Sequence, residues 1–314
     1  MEIIKSDETF KLNEKVAATI GFFDGVHAGH RFLLEQLKIQ ADARKLPSMA
    51  ITFLQHPQSV LQYNFQPELL NTFDERIERL SLSGVDYCLL LDFTKSLSQL
   101  NAKDFIHKKL KDEWNIKLLL IGYDHRFGKD RTESFEDYLE YGKEFGIEIL
   151  QASELFDIPV SSTHIRNCLL EGNLKEANRM LSYCYRLEGK TVEGDHFGKK
   201  MGFPTANIEV NVKNKIIPRN GVYAAHIHWN REKYGGMVYI GKRPTITVQG
   251  EKRIEAHLFN FSNNLYGETL QIEFVEFIRE DKQYGSFDDL KKQLFIDRDA
   301  AITALAKSNY DLPS

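Results

Sequence analysis

The sequence predicts an α/β protein in two parts: a doubly wound parallel sheet, then a small antiparallel β-barrel with a C-terminal helix. Its 314 residues exceed what one hydrophobic core usually serves, so two domains are expected. Up to about residue 180, short apolar β-rich runs alternate with helical patterns, which is typical of α/β domains. Beyond that point, closely spaced β segments separated by Gly, Pro and Asn favour a barrel. We place the domains at 1–183 and 184–314.

The composition is that of a soluble globular protein, with 42% hydrophobic and 27% charged residues. The start of the chain lacks the basic and apolar regions of a secretory signal, and no apolar run approaches the ~20 residues that span a bilayer. The net charge of -4 argues against nucleic-acid binding, which normally requires a basic face. We therefore expect a cytoplasmic protein that binds neither membranes nor nucleic acid. Nothing in the sequence excludes self-association.

Five runs in the first domain are apolar on both faces, as expected for strands of a parallel sheet covered by helices. They are VAATI (16–20), MAITFL (49–54), VDYCLLL (85–91), IKLLLIG (116–122) and IEILQA (147–152). Between the first two, one helical stripe carries Leu33, Leu34, Leu37 and Ala41. Thr72 and Glu75 have the spacing of a capping box that opens a later helix.

The segment GFFDGVHAGH (21–30) follows the first predicted strand. Gly21 and Gly25 allow the backbone to approach a ligand at the carboxyl edge of the sheet. His27 and His30 fall at the entrance of the next helix, where free amides and the helix dipole favour an anion. There they can donate hydrogen bonds to phosphate oxygens during attack on an α-phosphorus. The residues Phe22, Phe23 and Asp24 complete this predicted nucleotide-binding segment.

For an isolated HxxH pattern, a helix cap or a metal pair is the alternative interpretation. Here the strand, the two glycines and the helix occur in the order that a phosphate site requires, and this favours the nucleotide.

Two later segments carry further polar groups. IGYDHRFGKDR (121–131) ends a predicted strand and offers Asp124 and Arg126 as ligand-binding candidates, whereas its other charges are typical of a solvated loop. VSSTHIRNCL (160–169) has Ser161 as a predicted N-cap, followed by Ser162, Thr163 and Arg166. Hydroxyls, amides and a guanidinium together can hold a phosphate, although the hydroxyls alone would indicate only a helix cap.

Together these three segments resemble the motifs of the HxGH nucleotidyltransferases, whose domain is Rossmann-like. More narrowly, they resemble the adenylyltransferase half of the bacterial bifunctional riboflavin kinase/FAD synthetases. The resemblance implies that this half joins FMN to AMP from ATP, forming FAD and releasing pyrophosphate. In that reaction His27 and His30 would stabilise the α-phosphoryl transition state. Asp124 would orient adenosine or flavin, and Ser161, Ser162 and Arg166 would hold the triphosphate.

The most informative run of the second domain is GKTVEGDHFGKKMGFPTANIEV (189–210). Thr205 and Asn207 are two residues apart on an extended chain, so their oxygens lie on one face and suit Mg²⁺ bound with ATP phosphates. Glycines at 194, 198 and 202 predict a flexible loop over the phosphates. An ordinary turn and strand start is the alternative. The unbroken GFPTAN resembles the riboflavin kinase motif, and by that likeness the binding residues are Gly198, Lys199, Gly202 and Pro204.

Glu255 lies in RIEAHLFNF, a predicted strand in which apolar neighbours flank the carboxylate. The resemblance assigns it the role of general base, which takes the proton of the riboflavin 5′-hydroxyl. An ion pair with Lys252 or Arg253 is the alternative. Arg279 would lie at the flavin or nucleotide end of the same site, or would form a surface ion pair with Glu280 or Asp281. The resemblance covers nearly the whole chain and implies Mg²⁺ with ATP as the cofactor.

Five residues depart from the pattern of the family. They are Gln55 where Pro is common, His125 where Phe is usual, Lys199 for Arg, Ser182 for Gly and Cys184 for Pro. None is a residue assigned to chemistry, so we expect effects on affinity rather than on activity.

Two other functions are considered. One is an adenylyltransferase for pantetheine phosphate or nicotinate mononucleotide with an unrelated barrel, and GFPTAN and RIEAH argue against it. The other is a flavin-binding or RNA-binding regulator without turnover. The intact candidate residues argue against decay of activity; they are His27, His30, Thr205, Asn207 and Glu255.

Overall fold

The computed structural model consists of two compact units, Met1–Ser161 and Ser162–Ser314. It describes residues 1–6, 11–61, 66–123, 126–129, 132–154, 160–194, 198, 201–210, 212, 214–242 and 252–308. The predicted site residues Asp124 and Lys199, and the departure at His125, lie outside the described residues. In the described part of the chain, no helix has both the length and the apolar character needed to cross a membrane.

The first unit contains six parallel strands in the order β1-β4-β3-β2-β5-β6. They are β1 (Glu2–Ser6), β2 (Val16–Ile20), β3 (Ser48–Phe53), β4 (Tyr87–Leu91), β5 (Ile116–Ile121) and β6 (Glu148–Gln151). The five predicted strands are confirmed. The sixth, β1, was not predicted because it forms one edge of the sheet and most of its side chains are exposed, so it lacks the apolar run that marks a covered strand.

Helices cover this sheet. They are α1 (Ala28–Ala43), α2 (Pro57–Leu61), α3 (Phe73–Ser81), α4 (Lys95–Ser98), α5 (Ala102–Asp104), which continues into a π-helical segment (Phe105–Glu113), and α6 (Phe135–Phe145). The predicted stripe of α1 faces the core through Leu34, Leu37 and Ala41. The predicted capping box is also confirmed, because Glu75 N donates to Thr72 Oγ1 at 3.2 Å and Thr72 N donates to Glu75 Oε2 at 2.8 Å.

The strand order of the first unit reverses between β2 and β5. The chain proceeds from β2 outward through β3 and β4, and then returns to the other side of β2 with β5 and β6. In open α/β sheets, ligands bind at the carboxyl ends of the strands where the order reverses. The segment that follows β2 therefore begins at this position.

A core on one face of the sheet includes Trp114, which is 1% exposed and packs edge-on against Phe105.

The second unit is a closed barrel of six antiparallel strands in the order β10-β11-β8-β7-β12-β9, which confirms the predicted barrel. The strands are β7 (Tyr185–Val192), β8 (Ala206–Glu209), β9 (Gly221–Trp229), β10 (Glu232–Lys242), β11 (Lys252–Leu258) and β12 (Thr269–Arg279). Trp229 ends β9 and its Nε1 donates to Glu268 Oε2 at 3.1 Å.

Among the described residues, the helices of this unit are α7 (Ser162–Glu171), α8 (Leu174–Leu181) and α9 (Phe287–Ser308). Helix α8 is tied to the barrel, because Asn178 Nδ2 donates to Phe274 O at 2.9 Å and Asn178 Oδ1 accepts from Tyr185 N at 2.8 Å. Helices α7 and α8 therefore belong to the same compact unit as the barrel. The boundary of the functional domains at 183/184 stays a prediction. Ser182 ends α8 with a left-handed φ of 59°.

The predicted terminal helix is confirmed as α9. Ser286 Oγ accepts a hydrogen bond from Asp289 N at 3.1 Å, as predicted for its N-cap. One side of α9 packs on the barrel through Ala301, Ala304 and Leu305, and the predicted contacts Leu290 and Leu294 lie against the same apolar cluster.

Candidate active sites

The turn after β2 has an unusual backbone. Phe23 has φ 57° and ψ 36°, Val26 has φ 35°, and Gly25 between them has φ 83°. Left-handed conformations are uncommon for non-glycine residues and persist only where the surroundings hold them. The side chains of Phe23 and Val26 are each 1% exposed in the core, and their burial stabilises the turn.

Asp24 anchors the same turn. Its side chain is 4% exposed, and its Oδ1 accepts hydrogen bonds from Leu70 N at 2.9 Å and Asn71 N at 3.3 Å. These contacts favour a structural role, and direct contact of Asp24 with a nucleotide stays a prediction.

Arg76 of α3 lies beneath this turn and was missed by the sequence analysis. It is 3% exposed, its Nη1 donates to Phe22 O at 3.0 Å and its Nη2 donates to Phe53 O at 2.5 Å. Its guanidinium also lies 4.1 Å from the centroid of the Phe22 ring. Burial lowers the pKa of Arg76 to about 10, so the side chain stays positively charged at neutral pH. It thus joins the chain segments that leave β2 and β3.

His27 is the N-cap of α1. Its Nδ1 accepts a hydrogen bond from His30 N at 3.3 Å, and the two imidazole rings stack with centroids 3.6 Å apart. A nitrogen that accepts this bond carries no proton, so the neutral ring carries its proton on Nε2, which is then a donor. The capping interpretation and the phosphate interpretation are therefore compatible, because they use different nitrogens of one ring.

The glycine between the two histidines is explained by a close approach. A Cβ at Gly29 would lie 3.3 Å from His27 Nδ1 and 3.4 Å from its Cε1, which is tighter than ordinary packing. A side chain there would push on the imidazole that caps the helix. The N-terminus of α1, a helix of 16 residues, thus combines the positive end of the helix dipole with a fixed imidazole donor.

The other predicted residues of the adenylyl site lie on separate segments. Arg126 is exposed and precedes Phe127, whose backbone N–H donates to Tyr138 Oη at 3.2 Å. Ser161 ends the first unit, and Ser162 begins α7 in the second. The side chains of Thr163 and Arg166 meet within α7, where Arg166 Nη1 donates to Thr163 Oγ1 at 3.4 Å.

In the second unit, the predicted kinase residues form one hydrogen-bonded network across β8 and β11. Asn207 and Glu255 are directly opposite each other in this antiparallel pair. Thr205 Oγ1 donates to Glu255 Oε2 at 2.9 Å. Arg253 Nε lies 2.6 Å from Glu255 Oε1 and donates to Asn207 Oδ1 at 3.3 Å. The ion pair of Glu255 with Arg253, considered as an alternative to catalysis, is therefore present within the network.

Two cavities meet at Thr205, which lines both. The larger, about 600 Å³, is bordered by Glu255 and Arg253 and has mainly apolar and aromatic walls. These walls include Met201, Phe203, Met237, Tyr239, Tyr284 and Leu290. The smaller, about 520 Å³, is bordered by Asn207 and has several polar walls. They include Glu193, Ser262, Asn263 and Asn264. The Thr205–Glu255 hydrogen bond lies at the junction.

At two of the three glycines predicted to form a flexible loop, neighbouring atoms occupy the position of a Cβ. A Cβ at Gly194 would overlap the side-chain amide of Asn207, and one at Gly198 would overlap the carbonyl oxygen of Phe203. Gly202 instead has a positive φ of 83°. The amide of Asn207 thus occupies the space that a side chain at position 194 would need.

Two further residues shape the larger cavity. The first is His257, whose Nδ1 lies 2.8 Å from Pro204 O. Because a carbonyl oxygen only accepts hydrogen bonds, Nδ1 is the donor. Burial lowers the pKa of His257. Tyr239 lies opposite Glu255 on β10, and burial together with nearby Asp281 raises the pKa of its phenol to about 12, so it stays a hydrogen-bond donor at neutral pH.

Arg279 holds α9 at the edge of the larger cavity. Its Nε and Nη2 pair with the two carboxylate oxygens of Asp297 at 2.8 and 2.7 Å, and its Nη1 donates to Glu280 O at 2.9 Å. Asp297 is 1% exposed and lies in α9. The carboxylate that pairs with Arg279 is thus Asp297, eighteen residues away, which the sequence analysis missed.

Comparison with known proteins agrees with both halves. The FAD synthetase family matches residues 9–164, and the riboflavin kinase family matches residues 181–305. The bifunctional riboflavin kinase/FMN adenylyltransferase of Escherichia coli strain K12 is 34% identical over 90% of this chain and 90% of its own length. The protein of the same name from Listeria monocytogenes is 33% identical over 93% of this chain and 92% of its own.

A crystal structure described as a macrolide-efflux protein from Streptococcus pneumoniae is also similar. It is 30% identical, with a TM-score of 0.87 over 96% of this chain and 99% of that one. Both family matches and the relatives extend over the two units in the same order. The chain therefore belongs to the bifunctional riboflavin kinase/FMN adenylyltransferase family.

Proposed function

We propose that the two sites divide the two reactions of this family between them. The enzyme phosphorylates riboflavin with ATP to give FMN, and then adenylylates FMN with ATP to give FAD and pyrophosphate. In the proposal the barrel network carries out the first reaction, and the segment after β2 carries out the second. The junction of two cavities at Thr205, with Glu255 hydrogen-bonded to it, is the observation that supports this assignment.

For the kinase reaction, the walls of the two cavities support a proposed position for each substrate. The larger, mainly apolar cavity suits the isoalloxazine ring of riboflavin, and the more polar one suits the nucleotide. Glu255 takes the proton of the 5′-hydroxyl as its oxygen bonds to the γ-phosphorus of ATP. The bond from that phosphorus to the β–γ bridging oxygen breaks, and ADP leaves.

The donor set at the junction fits Mg²⁺. Thr205 and Asn207 present a hydroxyl and an amide oxygen from one face of the chain, and Mg²⁺ is bound by few protein oxygens together with substrate phosphates. These two residues would hold the ion, which when bound neutralises charge on the phosphates.

For the adenylyl reaction, a phosphate oxygen of FMN attacks the α-phosphorus of ATP, and pyrophosphate leaves. His27 donates from Nε2 to the α-phosphoryl oxygens, and the N-terminus of α1 adds the positive end of its dipole. Gly21, Phe22 and Gly25 shape the turn, and Arg76 holds it. The roles of His30, Asp124, Arg126, Ser161, Ser162, Thr163 and Arg166 follow from the sequence and are part of the proposal. Because both reactions consume ATP, we assign the enzyme to the cytoplasm.

The test is product analysis. The purified chain is incubated with riboflavin and MgATP, and the flavins are separated by chromatography. We expect FMN first and FAD later, and FAD alone from FMN. Absence of any flavin nucleotide, or adenylylation of pantetheine phosphate or nicotinate mononucleotide in its place, would contradict the proposal.

A further inference from the structure

The two residues proposed to hold the divalent ion, Thr205 and Asn207, both form hydrogen bonds with side chains of β11. Asn207 Oδ1 accepts from Arg253 Nε at 3.3 Å, and Thr205 Oγ1 donates to Glu255 Oε2 at 2.9 Å. Arg253 also pairs with the remaining oxygen of Glu255 at 2.6 Å. The hydroxyl of Thr205 donates its proton and keeps its lone pairs for a cation, whereas the amide oxygen of Asn207 accepts from a guanidinium that lies between it and the carboxylate of Glu255.

This arrangement follows from the register of the barrel. Arg253 and Glu255 are two residues apart on β11, so both side chains point to one face, where Asn207 lies directly opposite Glu255. The side chains of Arg253 and Glu255 are only 21% and 18% exposed, so solvent screens their interaction less than at the surface. The neighbouring Lys252 points elsewhere, with its Nζ on the carbonyl oxygens of Ile217 and Pro218 at 2.8 and 2.9 Å.

We propose that Arg253 is a positioning residue whose guanidinium competes with the divalent ion for the amide oxygen of Asn207 and must be displaced when the metal–nucleotide complex binds. The inference rests on the proposed kinase function. The guanidinium occupies one of the two lone pairs of Asn207 Oδ1 and puts a positive charge beside the oxygen that would bind the cation, so the two cations repel each other.

The proposal predicts that loss of Arg253 strengthens the binding of ADP with Mg²⁺, whereas loss of a purely structural ion pair would weaken it. Arg253→Met removes the competing donor, so ADP with Mg²⁺ should bind about ten-fold more tightly, the size expected for loss of one charged hydrogen bond. ADP with EDTA requires no displacement and should bind no more tightly than to the wild type. If Arg253 only supported the site, its loss would weaken binding of ADP under both conditions.

The measurement is isothermal titration calorimetry of the full chain with ADP, in Mg²⁺ and in EDTA. Any nucleotide binding in the first unit is common to all variants, so differences in ADP affinity between variants arise from binding to the barrel. Lys252→Met is the matched control: it removes the same charge from the same strand and should leave both affinities unchanged. Arg253→Lys retains the charge but not the planar donor, and should bind ADP with Mg²⁺ about three-fold more tightly than the wild type.

Three results would overturn the proposal: unchanged or weaker binding of ADP with Mg²⁺ to a folded Arg253→Met, a gain of equal size in EDTA, or the same gain in Lys252→Met. Circular dichroism checks the fold, and if Arg253→Met does not fold, unchanged or weaker binding to Arg253→Lys overturns it. Failure of the wild type to make FMN from riboflavin would contradict the proposed function instead, so the two failures are distinguishable.

Discussion

The two candidate sites are built by different means. In the first unit, one continuous segment after β2 supplies the turn, the N-cap and both histidines, and the path of the backbone fixes their geometry. In the second, Thr205 and Glu255 are fifty residues apart and meet because the register of β8 and β11 places them together. A site of the first kind depends on local conformation, whereas one of the second kind depends on correct closure of the barrel.

The largest expected effect is that of Glu255→Gln. Glutamine keeps the shape of the side chain and can still accept from Thr205, but it cannot take a proton, so FMN formation should fall about 10³-fold. FAD formation from supplied FMN should be unchanged, as measured by separate assays of the two products. The exposed Glu276→Gln on β12 serves as the control. A parallel loss of both activities in a folded variant would contradict the division between the two sites.

The next effect separates the two roles of His27. Asparagine is a good N-cap, so His27→Asn should keep α1 stable while it removes the Nε2 donor. FAD formation should fall on the order of 10²-fold, the usual result of losing one donor to a transition-state oxyanion. His30→Ala should likewise lose FAD formation and retain riboflavin kinase activity. Unaltered FAD formation in His27→Asn would show that His27 acts only as a helix cap.

Arg76→Met tests whether the first site depends on buried support. Methionine fills similar space but removes the donor of Phe53 O and one donor of Phe22 O, which retains its bond from Thr52 Oγ1. The loss should lower the stability of the first unit by about 2 kcal/mol. FAD formation should fall less than in His27→Asn, and kinase activity should persist. Urea unfolding followed by hydrogen exchange in α1 and α3 gives the stability. If Arg79→Met on the same helix has an equal effect, the buried contacts are not the cause.

The smallest effect is expected at Ser182, one of the departures from the family pattern. Its φ of 59° is strained for serine but not for glycine, so Ser182→Gly should stabilise the second unit by roughly 0.5–1 kcal/mol. Both activities should be unchanged, since the residue ends α8 away from the kinase network. Thermal unfolding measures the gain, and a lower midpoint would show that the serine side chain contributes more than its backbone costs.

The sequence was informative wherever a local pattern determines the structure. The apolar runs predicted β2 to β6, and the spacing of Thr72 and Glu75 predicted the capping box. The edge strand β1 was not predicted, because a strand with mostly exposed side chains lacks a continuous apolar run. The turn after β2 could be assigned to a phosphate site because strand, glycine and helix follow one another in the chain.

What sequence reasoning missed depends on tertiary contact. Arg76 lies on the buried face of α3 together with Leu80, and a charged residue at the core-facing spacing was the available signal. The roles of Arg253 and Asp297 have no such signal, because their partners are set by barrel register and by the packing of α9. Gly194 and Gly198 suggested flexibility, whereas their real requirement is the approach of a neighbouring chain.

The two tryptophans of the chain are distributed one to each unit. Trp114 is enclosed by the core of the parallel-sheet unit, whereas Trp229 lies at the end of a barrel strand and is partly open to solvent. Indole emission shifts to longer wavelength as its surroundings become more polar, so the two contributions differ in colour. Replacing either indole by phenylalanine would give each unit its own built-in fluorescent reporter, with which the melting of the two catalytic halves can be recorded independently in the intact enzyme.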